Sequence, residues 1–177
     1  MRRLIILAEV ALGLLFASCT KEEQRTLSVI PAPLKVELQQ EVFSLNSETG
    51  LYIDASEGDK KILEDYLVAS SMNLKPVIAE EGHNVVLKQV AELPEVNSSE
   101  GYVLTVLIRA TSWAGVFYGV QTMLQMVDEK GLPAGVITDE PRFAYRGFMM
   151  DVSRHFFDKE FIKKQMDALA YYKLNRL

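Results

Sequence analysis

Cysteine occurs once in 177 residues and histidine only twice, which excludes a disulfide framework and a Cys-rich zinc site. There is no H-E-x-x-H run, and His83 sits in a Glu/Gly/Asn turn, the setting of a solvated loop residue rather than a ligand. Lys and Arg form no block and the net charge is −5, so neither nucleic acid nor bulk attraction to an anionic membrane surface is expected. A G-x-G-x-x-G fingerprint, a P-loop, internal repeats and low-complexity tracts are all missing. No apolar run reaches the ~20 residues of a comfortable membrane span. What is present is an ordinary globular balance, 49% hydrophobic and 24% charged. That is enough apolar side chain to offset chain entropy and exclude wholesale disorder.

The first residues read as an address. Arg2 and Arg3 precede an apolar run from Leu4 to Phe16, and Ala17-Ser18-Cys19 follows, the layout of a secretory signal over residues 1–18. Glu9 inside that run costs about 2–3 kcal/mol in hydrocarbon and weakens the signal without abolishing it. The position of Cys19 resembles that of a bacterial lipoprotein signal, in which the cysteine is lipidated and becomes the mature N-terminus. Residues 19–27 then form a polar tether, and Lys21-Glu22-Glu23 resembles the surface-export signal of Bacteroidetes lipoproteins. The expected product is an exported lipoprotein of the outer membrane and cell surface, with the membrane as a partner through its N-terminal lipid.

Residues 28–140 carry the patterning of a small α+β domain. Leu34, Val36 and Leu38 alternate with polar residues, and Val42–Leu45 and Leu51–Ile53 follow as short strands separated by Asn/Ser/Gly turns. Ile62, Leu63, Tyr66 and Leu67 recur at helical spacing between Asp59 and Met72. Strand character returns at 76–78, at 85–87 and from Gly101 to Ala110. In that last stretch Gly101–Val106 runs into Leu107–Ala110 with almost no turn residue between them. A helix capped by Thr111 or Ser112 extends to about Val127, and Gly115 and Gly119, four apart, would let it approach a sheet closely. Function is not readable from this domain.

The last forty residues are richer. Arg146–Val152 has an apolar, strand-like centre, Asp158 is a suitable N-cap, and Ile162, Met166, Leu169, Ala170 and Lys173 recur along an amphipathic helix from about Lys159 to Tyr172. Strand, helix and a second strand start at Asn175 make a βα unit of a parallel α/β structure. Arg146, Asp151, Arg154 and His155 cluster at the two ends of the strand. Spacing alone leaves two readings open, an ion-paired loop closure or a ligand site at the mouth of a barrel strand.

The run D-E-P-R-F-x-Y-R-G-x-M-x-D-V-S-R-H-F, followed by a helix ending A-x-Y-K-L-N, resembles glycoside hydrolase family 20, the β-N-acetylhexosaminidases. The matching positions are Asp139, Pro141, Arg142, Phe143, Arg146, Gly147, Asp151, Ser153, Arg154, His155, Phe156, Lys173, Leu174 and Asn175. I-P-x-P at Ile30–Pro33, Glu100-Gly101-Tyr102 and the segment Ala114–Thr122 extend the resemblance upstream, with one departure: the hairpin connection usual in the family between Gly101–Val106 and Leu107–Ala110 is expected to be deleted here. It implies a zincin-like α+β N-terminal domain over 28–140 followed by the first βα unit of a (β/α)8 barrel over 141–177, with no metal and no cofactor.

The resemblance further implies removal of terminal N-acetylglucosamine or N-acetylgalactosamine from glycans by substrate-assisted, retaining hydrolysis. The sugar's own acetamido oxygen attacks the anomeric carbon, a Glu protonates the leaving oxygen, and an adjacent Asp steadies the acetamido group. That Asp-Glu pair is expected on a later barrel strand. Asp139-Glu140 is rejected as its equivalent, because it lies in the lead-in before Pro141. A full barrel takes ~250 residues, so the chain is expected to be an inactive N-terminal portion with Phe148, Met150 and Val152 incompletely covered. The resemblance makes Arg146 the substrate-binding residue, so that Arg146→Lys would weaken substrate use ~10-fold or more. Asp151, Arg154 and His155 support the strand end. Two other readings fit the residues. One is a non-catalytic lipoprotein module for carbohydrate binding or docking. The other is a different glycosidase family sharing the N-terminal domain, against which S-R-H-F and Y-K-L-N count.

Overall fold

The structure, a computed structural model, describes residues 27–70, 72 and 74–177. The expected signal, Cys19 and the tether as far as Thr26 lie outside the described residues. Seven strands form one sheet: β1 (Lys35–Phe43), β2 (Gly50–Asp54), β3 (Lys75–Pro76), β4 (Asn84–Gln89), β5 (Tyr102–Leu104), β6 (Leu107–Ala110) and β7 (Leu132–Asp139). Their spatial order is β1-β7-β5-β6-β4-β2-β3. Strands β3, β2, β4 and β6 pair in parallel, whereas β5 is antiparallel to β6 and β7, and β1 to β7. The described helices are α1 (Glu57–Ala69), α2 (Trp113–Met126) and α3 (Lys159–Tyr171). The α+β class expected for residues 28–140 is the one observed.

One sheet face carries Leu51, Ile53, Val85, Leu87, Tyr102, Leu104, Ile108 and Ala110, all buried beneath α1 and α2. Helix α1 starts at Ser56, whose Oγ accepts the Asp59 N–H at 3.3 Å, and it buries only Leu63 and Leu67. Ile62, assigned to the apolar stripe, is largely exposed. Helix α2 is capped by Ser112, whose Oγ accepts the Gly115 N–H at 3.3 Å. Its glycines mark the close approach that their spacing predicts. A β-carbon on Gly119 would lie 2.5 Å from Ile108 Cγ2, and one on Gly115 2.6 Å from the Gly101 carbonyl oxygen.

Two expectations about the sheet need correction, and one of its strands was not expected at all. The two strands expected around Leu34–Leu38 and Val42–Leu45 are one edge strand, β1, with a register shift between Leu38 and Val42. The hairpin that appeared to be deleted is present, because β5 and β6 pair antiparallel across only Thr105 and Val106. Thr105 closes that turn by itself: its backbone N–H donates to the Leu107 carbonyl (3.0 Å) and its hydroxyl oxygen accepts the Leu107 N–H (3.0 Å). A side-chain hydroxyl thus does the work normally signalled by Gly or Asn. Strand β7 has no counterpart in the sequence reading, since Pro133 and Gly135 interrupt its pattern. It nevertheless joins β1 to β5, and Gly135 takes a left-handed φ of 146° against the Glu37 carbonyl.

After β7 the chain leaves the sheet. Residues 146–148 run beside 175–177 through a parallel bridge at Gly147 and Arg176, where Phe148 N–H donates to the Arg176 carbonyl and Asn175 N–H to the Arg146 carbonyl (3.0 and 2.8 Å). The strand expected over Arg146–Val152 is thus an extended segment with one bridge. Helix α3 begins at Asp158, whose Oδ1 accepts the Phe161 N–H at 2.8 Å. No residue of α3 is buried, and Phe148, Val152 and Met166 are about half exposed.

Candidate functional site

The four residues singled out at the ends of the Arg146–Val152 segment fall into two separate environments. At the near end, the Arg146 guanidinium is already engaged. Its Nη2 donates to Glu100 Oε2 (2.6 Å), its Nε to the Lys173 carbonyl (2.7 Å) and its Nη1 to the Phe143 carbonyl (2.8 Å). It also lies 5.4 Å from the centre of the Tyr118 ring. The side chain is only 16% exposed. Asn175 completes the knot: its amide donates to Glu100 Oε1 and the Ala144 carbonyl, and its Oδ1 accepts the Arg146 N–H.

Beneath that knot lies a second, buried cluster. Lys173 Nζ donates to Asp139 Oδ2 (2.8 Å) and to the Tyr102 hydroxyl oxygen (2.7 Å), and Tyr102 donates to the same Asp139 oxygen (2.8 Å). The Thr122 hydroxyl bonds the phenol from α2, and Asp139 Oδ1 accepts the Leu34 N–H (3.2 Å). Burial pushes the Tyr102 phenol far up, helped by the Asp139 charge. Burial lowers Lys173, opposed by its attraction to Asp139. Tyr118 is raised by burial and by Glu100, with Arg146 acting against both. Lys173 also has φ 59°, a left-handed conformation that costs a side-chain-bearing residue about 1–2 kcal/mol.

A cavity of about 370 Å³ sits over these groups, walled by Pro31, Leu34, Tyr102, Tyr118, Pro141, Phe143, Arg146 and Lys173 among others. Of the charged groups in its wall, Arg146 pairs with Glu100 and Lys173 with Asp139, while Arg142 and Glu140 also line it. Glu140, the neighbour of Asp139, accepts the backbone N–H groups of Asn97 and Ser98, which hold its carboxyl below the usual value. Asp139 and Glu140 are therefore both committed to structure.

The far end is open. Asp151 Oδ1 accepts the N–H groups of Ser153 and Arg154 (2.9 and 3.1 Å), folding the chain into a tight turn before α3. The Arg154 guanidinium touches Asp151 through Nε at 3.3 Å while its side chain stays 87% exposed, and His155 is exposed beside it. The structure thus joins Asp151 to Arg154, leaves His155 exposed next along the chain, and gives Arg146 other partners. Glu100, Tyr102, Tyr118, Lys173 and Asn175 received no individual role from the sequence. The available signal was Lys173 itself, a lysine that continues the period of the apolar stripe just beyond the end of α3. Among the described residues, no group of three or more His, Cys, Asp or Glu side chains could hold a metal ion.

Comparison with known proteins follows this division of the chain. Residues 26–140 match the sequence model of glycosyl hydrolase family 20, domain 2, and residues 143–177 that of the family 20 catalytic domain. A β-hexosaminidase of Porphyromonas gingivalis is 36% identical over 176 residues, covering 88% of this chain and 22% of that protein. The β-N-acetylhexosaminidase structure from Streptomyces coelicolor superposes with a TM-score of 0.71 at 32% identity, over 83% of this chain and 33% of that one. The Streptomyces plicatus N-acetyl-β-hexosaminidase bound to Thio-NAglucal gives 0.70 at 31% identity, over 83% and 33%. The chain therefore spans about a fifth of the length of its first curated relative and a third of these solved chains.

Proposed function

The chain belongs to glycosyl hydrolase family 20, and from that membership we propose that it carries the leading domain and the opening of the catalytic barrel of an exported β-N-acetylhexosaminidase. The substrates are glycans ending in N-acetylglucosamine or N-acetylgalactosamine, cleaved with retention by the assistance of the sugar's own acetamido group. The catalytic carboxylates belong to barrel strands beyond the βα unit described above. The P. gingivalis and Streptomyces relatives, hexosaminidases by name, support the substrate class.

The single observation that carries a site assignment is the open geometry of Asp151, Arg154 and His155. In a (β/α)8 barrel the chemistry sits where the strands end, and the face where they begin serves stability. Arg154 follows the first barrel strand and presents a largely exposed guanidinium oriented by Asp151. Arg146 precedes that strand and is spent on Glu100 and two carbonyls. We therefore move the sugar contact from Arg146, where the motif suggested it, to Arg154. The fork of a guanidinium can grip neighbouring hydroxyls in a way that lysine does not copy. Asp151 fixes its orientation and His155 borders it.

Hydrolysis of 4-nitrophenyl N-acetyl-β-glucosaminide tests this reading. A polypeptide continuing these residues into a complete catalytic domain is expected to be active, and the 177-residue chain alone inactive. Activity equally high on the glucoside lacking the acetamido group would overturn the substrate-assisted reading. Export is inferred from Arg2, Arg3, the Leu4–Phe16 run and Cys19. Metabolic labelling with palmitate should mark the wild-type chain and miss Cys19→Ala; equal labelling of both would remove the lipoprotein assignment. Among the described residues no helix is long and apolar enough to cross a membrane.

A further inference from the structure

Helix α3 ends in a left-handed turn of the Schellman type. Leu174 N–H donates to the Leu169 carbonyl (2.8 Å) and Lys173 N–H to the Ala170 carbonyl (2.9 Å). The residue that must then adopt positive φ is normally glycine, which has no β-carbon to strain. This chain places a lysine there, at φ 59°, and buries it to 5% exposure. A residue that only ended the helix would gain nothing from a long charged side chain in that position. Both halves of Lys173 are instead used, the ammonium across the domain boundary and the carbonyl within the βα unit. The ammonium enters the leading domain, where Asp139 at the end of β7 and Tyr102 at the start of β5 receive it. Those two residues are register partners in the sheet, so the receptor is rigid. The Lys173 carbonyl accepts from Arg146, at the start of the neighbouring extended segment, and the chain two residues later bonds that same segment through Asn175.

We propose that Lys173 is a positioning residue that fixes the start of the second barrel strand to the leading domain, making that domain the foundation of the barrel floor rather than a separate binding module. The description of residues 146–148 and 175–177 as barrel strands rests on the family reading above; the tie itself does not. Strain at one backbone position is retained because the side chain it carries sets the register of two strands against a rigid sheet. The left-handed turn ends the helix where the ammonium reaches Tyr102 of β5 and Asp139 of β7.

Amide hydrogen exchange on the full 177-residue chain tests the proposal without any sugar, so its failure leaves the hydrolase reading untouched. Lys173→Gly relaxes the turn but removes the tie. The expected result is at least a tenfold loss of protection along α3 and at the amides of Phe148 and Asn175, with Val85, Leu87 and Ile108 within twofold of wild type. Asp139→Asn, placed in the other domain, should open the same α3 amides, and the double variant should be no worse than the poorer single. Unchanged or increased α3 protection in Lys173→Gly would reduce the lysine to a helix stop and overturn the proposal, as would fully additive losses in the double variant. A signature in the unaltered chain covers the case of a variant that does not fold. The Lys173 ammonium protons should exchange slowly and show NOEs to the Tyr102 ring, and exchange as fast as that of exposed Lys61 would also overturn it.

Discussion

Two arginines eight residues apart should dissociate cleanly when each is removed. In Arg146→Ala, Glu100 keeps the Asn175 amide as a partner, and the carbonyls of Lys173 and Phe143 lose their charged donor. Hydrogen bonds to a charged group contribute about 1.5–3 kcal/mol each when desolvated. The pair is 16% and 24% exposed, so solvent repays part of that loss. A net cost of about 2–4 kcal/mol is the reasonable figure. For a body of this size that corresponds to a fall in Tm of roughly 5–15 °C. Arg154→Ala breaks one exposed i,i+3 contact, and its effect should stay within about 0.5 kcal/mol. Calorimetry on the 177-residue chain reads both. In the protein with a complete barrel the order reverses: Arg154→Lys should lower kcat/KM by ~10-fold or more with Tm unchanged. Arg146→Lys, assayed well below its Tm, should cost far less. Equal Tm losses for the two alanine variants, or an unimpaired Arg154→Lys enzyme, would refute the assignment of one arginine to the joint and the other to the sugar.

Other perturbations follow from the same geometry. Gly119→Ala gains about 1 kcal/mol of helix propensity but forces a β-carbon against Ile108, which is fully buried. Overpacking of about 1–3 kcal/mol should win, so a denaturant midpoint below wild type is expected. Tyr102 and Tyr118 hold their protons more tightly folded than unfolded. Their contribution is complete below the ordinary tyrosine value and is lost as pH rises past about 10; Tyr102→Phe should blunt that alkaline fall in thermal melts. Glu140 is depressed in the folded chain, so its contribution is present above the ordinary glutamate value and fades as pH drops below it. Glu140→Gln should lose stability at pH 7 and show a flatter acid limb.

The division between pattern and packing is visible in individual residues. Helix α2 was legible because Ser112 offers a cap and the apolar stripe repeats at the helical period, and helix α3 because Asp158 and Ile162–Leu169 do the same. Strand β7 was not, since Pro133 and Gly135 break an alternation that only pairing with β1 and β5 sustains. The Thr105–Val106 turn was hidden because a hydroxyl supplied what glycine usually does. The motif identified the family through residues that matched in register, yet a motif orders residues only along the chain.

What the sequence determined by itself was the kind of protein: helices and most strands from periodicity and caps, and a family from a motif dense in charged and aromatic residues. Which arginine faces outward was decided only in three dimensions. Arg146 and Arg154 carry the same guanidinium, and the difference between them is whether Glu100, forty-six residues before Arg146, stands within reach. Lys173 makes the same point for the helix end, because its partners Tyr102 and Asp139 become neighbours only when β5 and β7 pair. Local propensity acts over a few residues, whereas a buried charge is settled by whatever the folded sheet brings to it.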